Sequence, residues 1–323
     1  MKSFIFKIII LIVIFVISAF IFKYIFDNGL KKAEYDEFQV WNDIFESKIN
    51  SDIVINGGSR AWVQISPKIL DSVLNINSYN LGINGYPFNM QYVRYQIYEK
   101  YNKNPQVIIQ ESDFHIFQYK SEPYNKGQFL PYINEPFLKN ALKKMESFSN
   151  FDFYFPVYCY HSDPTTIIKS VIEFCNIKHF QKRGYKGYKG QDKVWNGSEL
   201  EKILQSDSIV SEINPEIVKE FDSFLIHCKE NNIHVIMVFP PEYIKATEFT
   251  KNKETVISIY RSFSKKYNIP FLNYSNDSIC YDTTYFYNAM HLNKKGAEIF
   301  STKLAYDIKS IEILQKLNNK NIY

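Results

Sequence analysis

The chain begins with an apolar segment of membrane-spanning length. No charged residue occurs over residues 8–22, and apolar residues predominate over the 23 positions of residues 4–26. About 20 apolar residues are enough for a helix to cross a bilayer. The rival is a cleaved signal peptide, whose apolar region is shorter and ends at small residues, but here apolar residues continue past Ser18 and Ala19. The pattern therefore favours an uncleaved transmembrane anchor over residues 1–28.

Beyond the anchor, polar residues with scattered aromatics predict a helical stalk over residues 29–50. Strand-like and helix-like patterns then alternate, and the strand-like runs are DIVINGG, NINSYNLG, PQVIIQES, IHVIMVFPP and IPFLNY. Continuous apolar runs are typical of parallel strands buried on both faces. Strands that alternate with helices predict βαβ units. We therefore expect a three-layer α/β domain over residues 51–312, built on a parallel sheet.

The alternation is interrupted over about residues 118–212. Aromatic, proline and glycine residues are frequent there, and the run TTIIKSVIEFCN is helix-like. This pattern predicts a large aromatic-rich insertion. Its aromatic residues can pack in a core, form a lid or stack on sugars, and packing is favoured because 17% of the whole chain is aromatic. Residues 313–323 are interpreted as a C-terminal tail.

Charge and cysteine content exclude some classes of function. The 38 basic and 34 acidic residues give a net charge of +4, without the basic stripe that is typical of nucleic-acid binding. Lysines flank the anchor on both sides, so their distribution does not fix its orientation. The cysteines form no CxxC pair and hence no zinc or redox motif. Disulfides and buried free thiols both stay open for Cys159, Cys175, Cys228 and Cys280.

The candidate chemistry lies at the ends of the predicted strands, because ligands bind beyond the carboxyl ends of parallel strands. Ser59 follows the first strand and two glycines, where a serine either caps a helix or acts as a nucleophile at a tight turn. Gly85 follows the second strand and provides either turn geometry or a backbone donor to an oxyanion. His291 precedes the last helix on the same edge, so the fold can bring it to Ser59 as a base.

These segments resemble the motifs of the SGNH (GDSL-like) hydrolase superfamily. NGGSR is similar to the first motif, with Gly58 where Asp is common, NLGINGY is similar to the second, and HLNKKGAEIF is similar to the last and is the most specific. The resemblance covers roughly residues 51–117 and 213–312 and implies a flavodoxin-like sheet. With the anchor, it extends to the membrane-anchored branch near D-alanyl-lipoteichoic acid protein D and the alginate O-acetylation proteins. Those proteins work outside the cytoplasmic membrane, often beside a membrane-bound O-acyltransferase.

Two motifs depart from the superfamily pattern. The Gly-x-Asn-Asp motif is absent and IIQESDFH stands in its place, so Ser112 or a backbone N–H is the candidate for the missing oxyanion donor. Asn288 occupies the position of the Asp that orients the catalytic histidine, although the amide oxygen of an Asn can also accept a ring N–H. A Ser-His-Asn triad, a weak Ser-His dyad and an inactive relic stay open, with Asp282 as an alternative orienting residue. Arg60 is either an ion-pair residue or a binding group for a substrate anion.

The resemblance implies an extracytoplasmic enzyme that transfers or hydrolyses ester-linked acyl groups, with acetyl favoured, on a cell-surface glycan. Ser59 would carry the acyl group, His291 would act as the base and Asn288 would orient it. The backbone N–H groups of Ser59 and Gly85 would bind the oxyanion, and no metal, cofactor or nucleic acid is implied. The alternative is a catalytically inactive accessory protein that binds glycan or docks a membrane-bound O-acyltransferase.

Overall fold

The computed structural model describes residues 2–177, 180, 184–205 and 209–311. It divides into two compact units, the first made of residues 1–46 and 121–183, and the second of residues 47–120 and 184–323. The α-helices of the described residues are α1 (Lys2–Lys32), α2 (Phe38–Phe45), α3 (Ser59–Gln64), α4 (Pro67–Leu74), α5 (Phe88–Tyr101), α6 (Pro136–Leu142), α7 (Asn150–Tyr154), α8 (Pro164–Phe174), α9 (Ser198–Gln205), α10 (Pro215–Glu230), α11 (Ile244–Phe249), α12 (Lys253–Tyr267) and α13 (Lys294–Ser310).

The second unit is built on a five-stranded parallel sheet. Its strands are β1 (Ile53–Asn56), β2 (Ser78–Asn80), β3 (Val107–Glu111), β4 (His234–Phe239) and β5 (Phe271–Asn273). They lie in the order β2-β1-β3-β4-β5, and every neighbouring pair is parallel. This is the order of flavodoxin-like doubly wound sheets. The predicted three-layer parallel α/β fold is therefore confirmed.

Helices cover both faces of this sheet. Alternate residues of the central strands, such as Ile53 and Ile55, pack with Leu70 of α4 and Leu304 of α13 on one face. On the other side of the fold, aromatic rings of α5, α10 and α12 form the core, and these are Phe88, Tyr95, Phe221, Phe224 and Tyr260. Because both faces are covered, β1, β2 and β3 are buried at every position. This burial explains the continuous apolar runs IVI of β1 and VII of β3.

A small hairpin precedes the last helix, where the sequence predicted only a loop. Its antiparallel strands are β6 (Phe286–Asn288) and β7 (His291–Leu292). Asn293 then caps α13, because its side-chain oxygen accepts a hydrogen bond from Gly296 N at 3.0 Å. The same side chain donates to Thr284 O at 2.8 Å. The hairpin and the start of α13 are thus fixed to each other.

Residues 29–46, most of the segment predicted as a helical stalk, belong to the first unit. Leu30 at the end of α1 and Trp41 in α2 are fully buried, and the indole of Trp41 donates to Gln128 Oε1 at 3.1 Å. Helices α1 and α8 approach so closely that a Cβ atom on Gly29 would lie 1.9 Å from Ser170 O. About half of residues 29–46 are therefore buried, in a unit shared with the insertion. A single amphipathic segment cannot reveal its packing partner when that partner lies a hundred residues away.

The boundaries of the insertion also differ from the prediction. Residues 121–183 of the insertion belong to the first unit, whereas the residues from Gly184 onward belong to the second unit. There, Asn80 N at the edge strand β2 donates to Lys186 O at 2.9 Å. The predicted tail, residues 313–323, lies outside the described residues.

Helix α1 is long and apolar enough to cross a membrane by its length and composition. Its apolar side chains from Phe4 to Phe22 are largely exposed in the structure. These observations are consistent with the predicted anchor. All four cysteines lie in the described part of the chain and are free thiols, and Cys175 is the exposed one among them.

Candidate active site

Ser59 stands at the start of α3, directly after the turn that follows β1. The turn is held against the neighbouring strand, because Gly58 N donates to Glu111 Oε2 at 2.8 Å. A Cβ atom on Gly57 would lie 2.5 Å from the Cβ atom of Glu111 and 2.7 Å from that of Ala61. Only glycine fits this close approach, so the turn places the serine at a fixed point on the carboxyl edge of the sheet.

The structure brings Ser59 and His291 together from opposite ends of the second unit. Ser59 Oγ lies 2.8 Å from His291 Nε2, which is a hydrogen-bond distance. The imidazole stacks on the ring of Tyr287, with centroids 5.4 Å apart and planes 8° from parallel. The stacking partner and the hairpin strand together fix the plane of the imidazole ring. The predicted pairing of the serine with the histidine is present in the structure.

Asn288 contacts the other nitrogen of the imidazole. Its Oδ1 lies 3.0 Å from His291 Nδ1 and also accepts hydrogen bonds from the backbone N–H groups of Met290 at 3.1 Å and His291 at 2.9 Å. These two N–H groups need an acceptor, so the oxygen and not the amide nitrogen of Asn288 faces the ring. The imidazole must then carry its proton on Nδ1, which leaves the Nε2 lone pair to accept the serine hydroxyl. Asn288 therefore selects the tautomer that a general base requires.

The surroundings of the imidazole favour its neutral form. Burial, and next the positive charge of Arg60, lower the pKa of His291 to about 3. A neutral imidazole at physiological pH can accept the proton of Ser59. The same surroundings oppose formation of an imidazolium ion, and the amide of Asn288 offers no negative charge to offset this.

Arg60 is buried and links four segments that meet behind Ser59. Its guanidinium lies 3.1 Å from Asp113 Oδ2 after β3 and 3.1 Å from Glu242 Oε1 after β4. Its Nε donates to Met290 O in the hairpin at 3.1 Å. With 1% of its surface exposed, Arg60 holds the site together. The ion-pair alternative thus describes its geometry. Arg60 also lines a cavity beside Ser59, and its contact with a substrate anion stays a prediction.

The carboxyl groups around Arg60 differ in protonation. Burial, reinforced by the nearby Asp113, raises the pKa of Glu111 well above its ordinary value. Burial also raises the pKa of Glu242 to about 7. Burial by itself raises the pKa of Asp113, but the positive charge of Arg60 opposes this effect and holds the pKa below its ordinary value. Asp113 therefore carries the negative charge that pairs most firmly with the guanidinium.

A cavity of about 300 Å³ opens beside Ser59 and His291. Gly85 lies on its wall in a left-handed conformation, with φ of 79°. Ser112 does not line this cavity: its side chain is fully buried and donates to Gln110 O at 3.1 Å. The structure therefore does not support Ser112 as an oxyanion donor. The charged, imidazole and amide side chains that line the cavity with the Ser-His pair are Arg60, Asn84, Gln91, Asp113, His115, Gln118 and Lys120.

Sequence analysis missed several residues of this site. His115 N donates to Asp113 Oδ1 at 2.6 Å, and His115 Nδ1 lies 2.8 Å from Gln118 Nε2. His115 and Gln118 lie in the segment directly after β3. Their position beyond the end of a parallel strand is the signal that could have indicated them. Asp282, the alternative orienting residue, is exposed and accepts a hydrogen bond from Thr284 N at 2.9 Å. It caps a short 3₁₀ helix, and Asn288 occupies the orienting position.

Over the described residues, no group of three or more His, Cys, Asp and Glu side chains is arranged to hold a metal ion. The acidic side chains Asp113 and Glu242 instead pair with Arg60.

No protein-family model and no curated protein matches the chain. Several solved structures are similar to it, and three of them are described here. A candidate lipolytic protein of the G-D-S-L family from Desulfitobacterium hafniense DCB-2 is 13% identical, with 80% of this chain and 99% of that chain covered and a TM-score of 0.36. A candidate acylhydrolase from Bacteroides fragilis NCTC 9343 is 12% identical, with coverages of 79% and 86% and a TM-score of 0.35.

The third is a GDSL-like lipase from Bacteroides thetaiotaomicron VPI-5482, which is 11% identical, with 84% of this chain and 100% of that chain covered and a TM-score of 0.37. The chain is similar to GDSL-like proteins. This is the superfamily that its sequence motifs resemble. The function proposed below rests on the geometry of the site.

We expect Arg60 to contribute strongly to stability. Replacing it with Met leaves Asp113 and Glu242 buried without their cation, and breaking a buried ion pair in this way costs about 3–5 kcal/mol. The matched control is Arg261→Met, since Arg261 is exposed and pairs at 3.6 Å with the exposed Glu254, and such surface pairs contribute about 0–1 kcal/mol. Chemical denaturation of both variants measures the difference. Equal stability of the two variants would contradict the role assigned to Arg60.

Proposed function

We propose that this protein is a serine-dependent acyltransferase or esterase that acts on ester-linked acyl groups, with acetyl preferred. The observation that carries the proposal is the chain of contacts from Ser59 Oγ to His291 Nε2 at 2.8 Å and from His291 Nδ1 to Asn288 Oδ1 at 3.0 Å. A nucleophile, a base and an orienting acceptor in this arrangement have the geometry of a catalytic triad. A serine that only capped α3 would not require an oriented histidine.

The reaction follows from the positions of the protons. His291 Nε2 takes the hydroxyl proton of Ser59 as Oγ attacks the ester carbonyl carbon. Collapse of the tetrahedral intermediate breaks the ester bond, and the Nε2 proton passes to the departing alkoxide, which leaves an acyl-serine. Nε2 then deprotonates an acceptor hydroxyl or a water, which attacks the acyl carbon. The acceptor leaves as an ester or an acid, and Ser59 Oγ recovers the proton.

The intermediate oxyanion needs hydrogen-bond donors. Ser59 lies in the first turn of α3, where backbone N–H groups have no partner within the helix. Gly85 adds a second N–H group on the cavity wall, and its missing side chain leaves room for a substrate to approach. The half-exposed side-chain amide of Asn84 lines the same cavity and is our candidate for the third donor in place of Ser112.

The cavity also supports a small acyl group on a hydroxyl-rich acceptor. Its volume of about 300 Å³ is at the small end of ligand sites. Side chains of Tyr86, Pro87, Ile116 and Met290 line part of the cavity, and amide, imidazole, carboxylate and ammonium groups line the rest. These groups can hydrogen-bond sugar hydroxyls, so we propose a cell-surface glycan as the acceptor. No group of this proposal requires a metal or a cofactor.

We further propose that the second unit lies outside the cytoplasmic membrane, with α1 as a single-pass anchor. The alternative is an accessory protein that binds glycan or docks a membrane-bound O-acyltransferase without acyl chemistry. Asn288 in place of a carboxylate favours that alternative. The retained contacts among Ser59, His291 and Asn288 favour the enzyme.

Cysteine labelling tests the placement outside the membrane. Cys175 is exposed in the first unit, whereas Cys159, Cys228 and Cys280 are buried. A membrane-impermeant maleimide should therefore label the wild-type protein on intact cells, or on spheroplasts where an outer envelope blocks access. The Cys175→Ser variant is the control that should lose the label. Labelling only after the cytoplasmic membrane is permeabilised would place the first unit in the cytoplasm.

A serine-directed fluorophosphonate tests the nucleophile. The reagent should attach to Ser59, and Ser59→Ala and His291→Ala should each reduce p-nitrophenyl acetate hydrolysis to background without lowering the unfolding temperature. Ser112→Ala is the matched serine control and should keep its labelling and activity, because Ser112 is buried away from the cavity. Full activity of both Ser59→Ala and His291→Ala would refute the enzyme.

Asn288→Asp tests the orienting residue. An aspartate beside the imidazole raises the pKa of His291, and the base works only when it is neutral. The rate plateau of the variant should therefore begin at a higher pH than in wild type, where the pKa of about 3 keeps His291 neutral through the ordinary range. The plateau itself should rise roughly tenfold or more, since the reverse change costs about 10⁴ in a serine protease.

The control is Asn288→Ala, which removes the acceptor for His291 Nδ1 and should lower the rate. A pH series of p-nitrophenyl acetate turnover on the three proteins measures these effects. Background rates in all three, the Asp variant included, would identify the accessory protein.

A further inference from the structure

The first unit carries exposed aromatic rings that its core does not use. Within the segment from α7 to the 3₁₀ helix Tyr158–Tyr160, four aromatic side chains are exposed by 40–64%. We call them the aromatic cluster, and they are Phe151, Tyr154, Phe155 and Tyr158. Contiguous exposed apolar groups of this kind mark interaction surfaces.

The rings of the aromatic cluster contact one another. Phe151 lies 5.1 Å from Phe155 and 5.5 Å from Tyr158, measured between ring centroids. Phe151, Phe155 and Tyr158 therefore form one surface, and Tyr154 lies in the same segment, with 64% of its area in solvent. An apolar surface that remains in water is unfavourable at about 25 cal/mol per Å². This cost is removed if the surface has a partner.

The aromatic cluster lies beside the end of the apolar anchor. Tyr160 belongs to the same 3₁₀ helix as Tyr158, and its ring packs 5.2 Å from that of Phe26. The Tyr160 hydroxyl donates to Asp27 Oδ1 at 2.6 Å, and Lys23 Nζ lies 5.8 Å from the ring centroid. The apolar stretch that ends at Phe26 is about 34 Å long at 1.5 Å per residue, close to the thickness of a bilayer core. Tyr160 is therefore held at the level where a spanning α1 leaves the hydrocarbon.

Basic side chains accompany the rings. Lys139 Nζ lies 4.9 Å from the ring centroid of Tyr154, and Lys143 Nζ lies 5.7 Å from the same centroid. Tyrosine and phenylalanine beside lysine form the combination that membrane interfaces favour: the rings enter the headgroup region, while the ammonium groups meet lipid phosphates. The lysines beside the rings favour lipid as the occupant, and a membrane-bound protein in the same place is an outcome of the test.

From this geometry we propose that the aromatic cluster inserts into the lipid headgroup region beside α1, as a second membrane contact. The lipid is identified by its chemistry: an anionic phosphate headgroup for Lys139 and Lys143, and the upper acyl chain for the rings. A single helix can rotate about its own axis, and a second contact beside it removes that freedom. The first unit is thereby held in one orientation on the membrane. This inference rests on the proposed role of α1 as an anchor.

The test uses full-length protein in nanodiscs of phosphatidylcholine and phosphatidylglycerol whose acyl chains are brominated near the headgroup. A tryptophan replaces Phe155, and the signal of the unmodified chain, which has three tryptophans, is subtracted. Bromine quenches tryptophan emission on contact, so the added emission should fall by about half relative to nanodiscs without bromine, while aqueous iodide should have little effect. Phe15 lies at the middle of the apolar stretch of α1, so Phe15→Trp is the positive control for contact with lipid in nanodiscs whose acyl chains are brominated near their ends.

The outcomes separate the docking surface from the anchor. If Phe15→Trp is quenched by bromine while Phe155→Trp responds only to iodide, the docking surface is refuted and the anchor stands. If Phe155→Trp responds to neither quencher, a protein surface covers the aromatic cluster and the proposal also fails. If Phe15→Trp is not quenched by bromine, α1 is not the anchor and the docking surface falls with it.

Reversing the charge of Lys139 and Lys143 provides a second test of the proposal. Lys139→Glu with Lys143→Glu should reduce the bromine quenching of Phe155→Trp in nanodiscs that contain phosphatidylglycerol, because the glutamates repel anionic headgroups. The matched control is Lys139→Arg with Lys143→Arg, which keeps both charges and should keep the quenching. Unchanged quenching in the glutamate variant would refute the part assigned to the anionic headgroup.

Discussion

The site depends on one buried cation. Arg60 follows the nucleophile directly, and its guanidinium joins the ends of β3 and β4 to the hairpin that carries the base. A buried guanidinium is tolerated only when carboxylates and carbonyl oxygens surround it. This requirement brings Asp113, Glu242 and Met290 to the same place. The position of His291 relative to Ser59 is thus coupled to an electrostatic constraint behind the reactive atoms.

The positive charge of Arg60 also affects the protonation of His291. A positive group near His291, added to burial, keeps the imidazole neutral, and the Oδ1 atom of Asn288 sets its tautomer. An aspartate at this position would also stabilise the imidazolium ion that forms during the reaction. The asparagine orients the ring without that stabilisation. We interpret the site as a general base that is correctly aligned but lacks the usual negative partner.

The two units have different compositions. The second unit brings Ser59, His291 and Asn288 together at the carboxyl edge of a parallel sheet. The first unit combines the apolar helix with an insertion rich in aromatic residues, and it buries residues that look like an exposed linker in the sequence. The proposed acyl chemistry and the proposed membrane contacts therefore belong to separate units.

The sequence alone determined the parallel α/β fold and the apolar helix, and it identified Ser59, His291 and Asn288 as candidates. Continuous apolar runs and helical spacing are local properties, and glycine-rich strand ends with a histidine before the last helix can be recognised without coordinates. The buried charge cluster could not be predicted from the sequence, because the spacing of Arg60, Asp113 and Glu242 along the chain does not indicate that they form ion pairs. The core around residues 29–46 was hidden for the same reason, since its partners follow about a hundred residues later. Only the tertiary structure decided these features, because burial and charge pairing depend on distances between segments that are far apart along the chain.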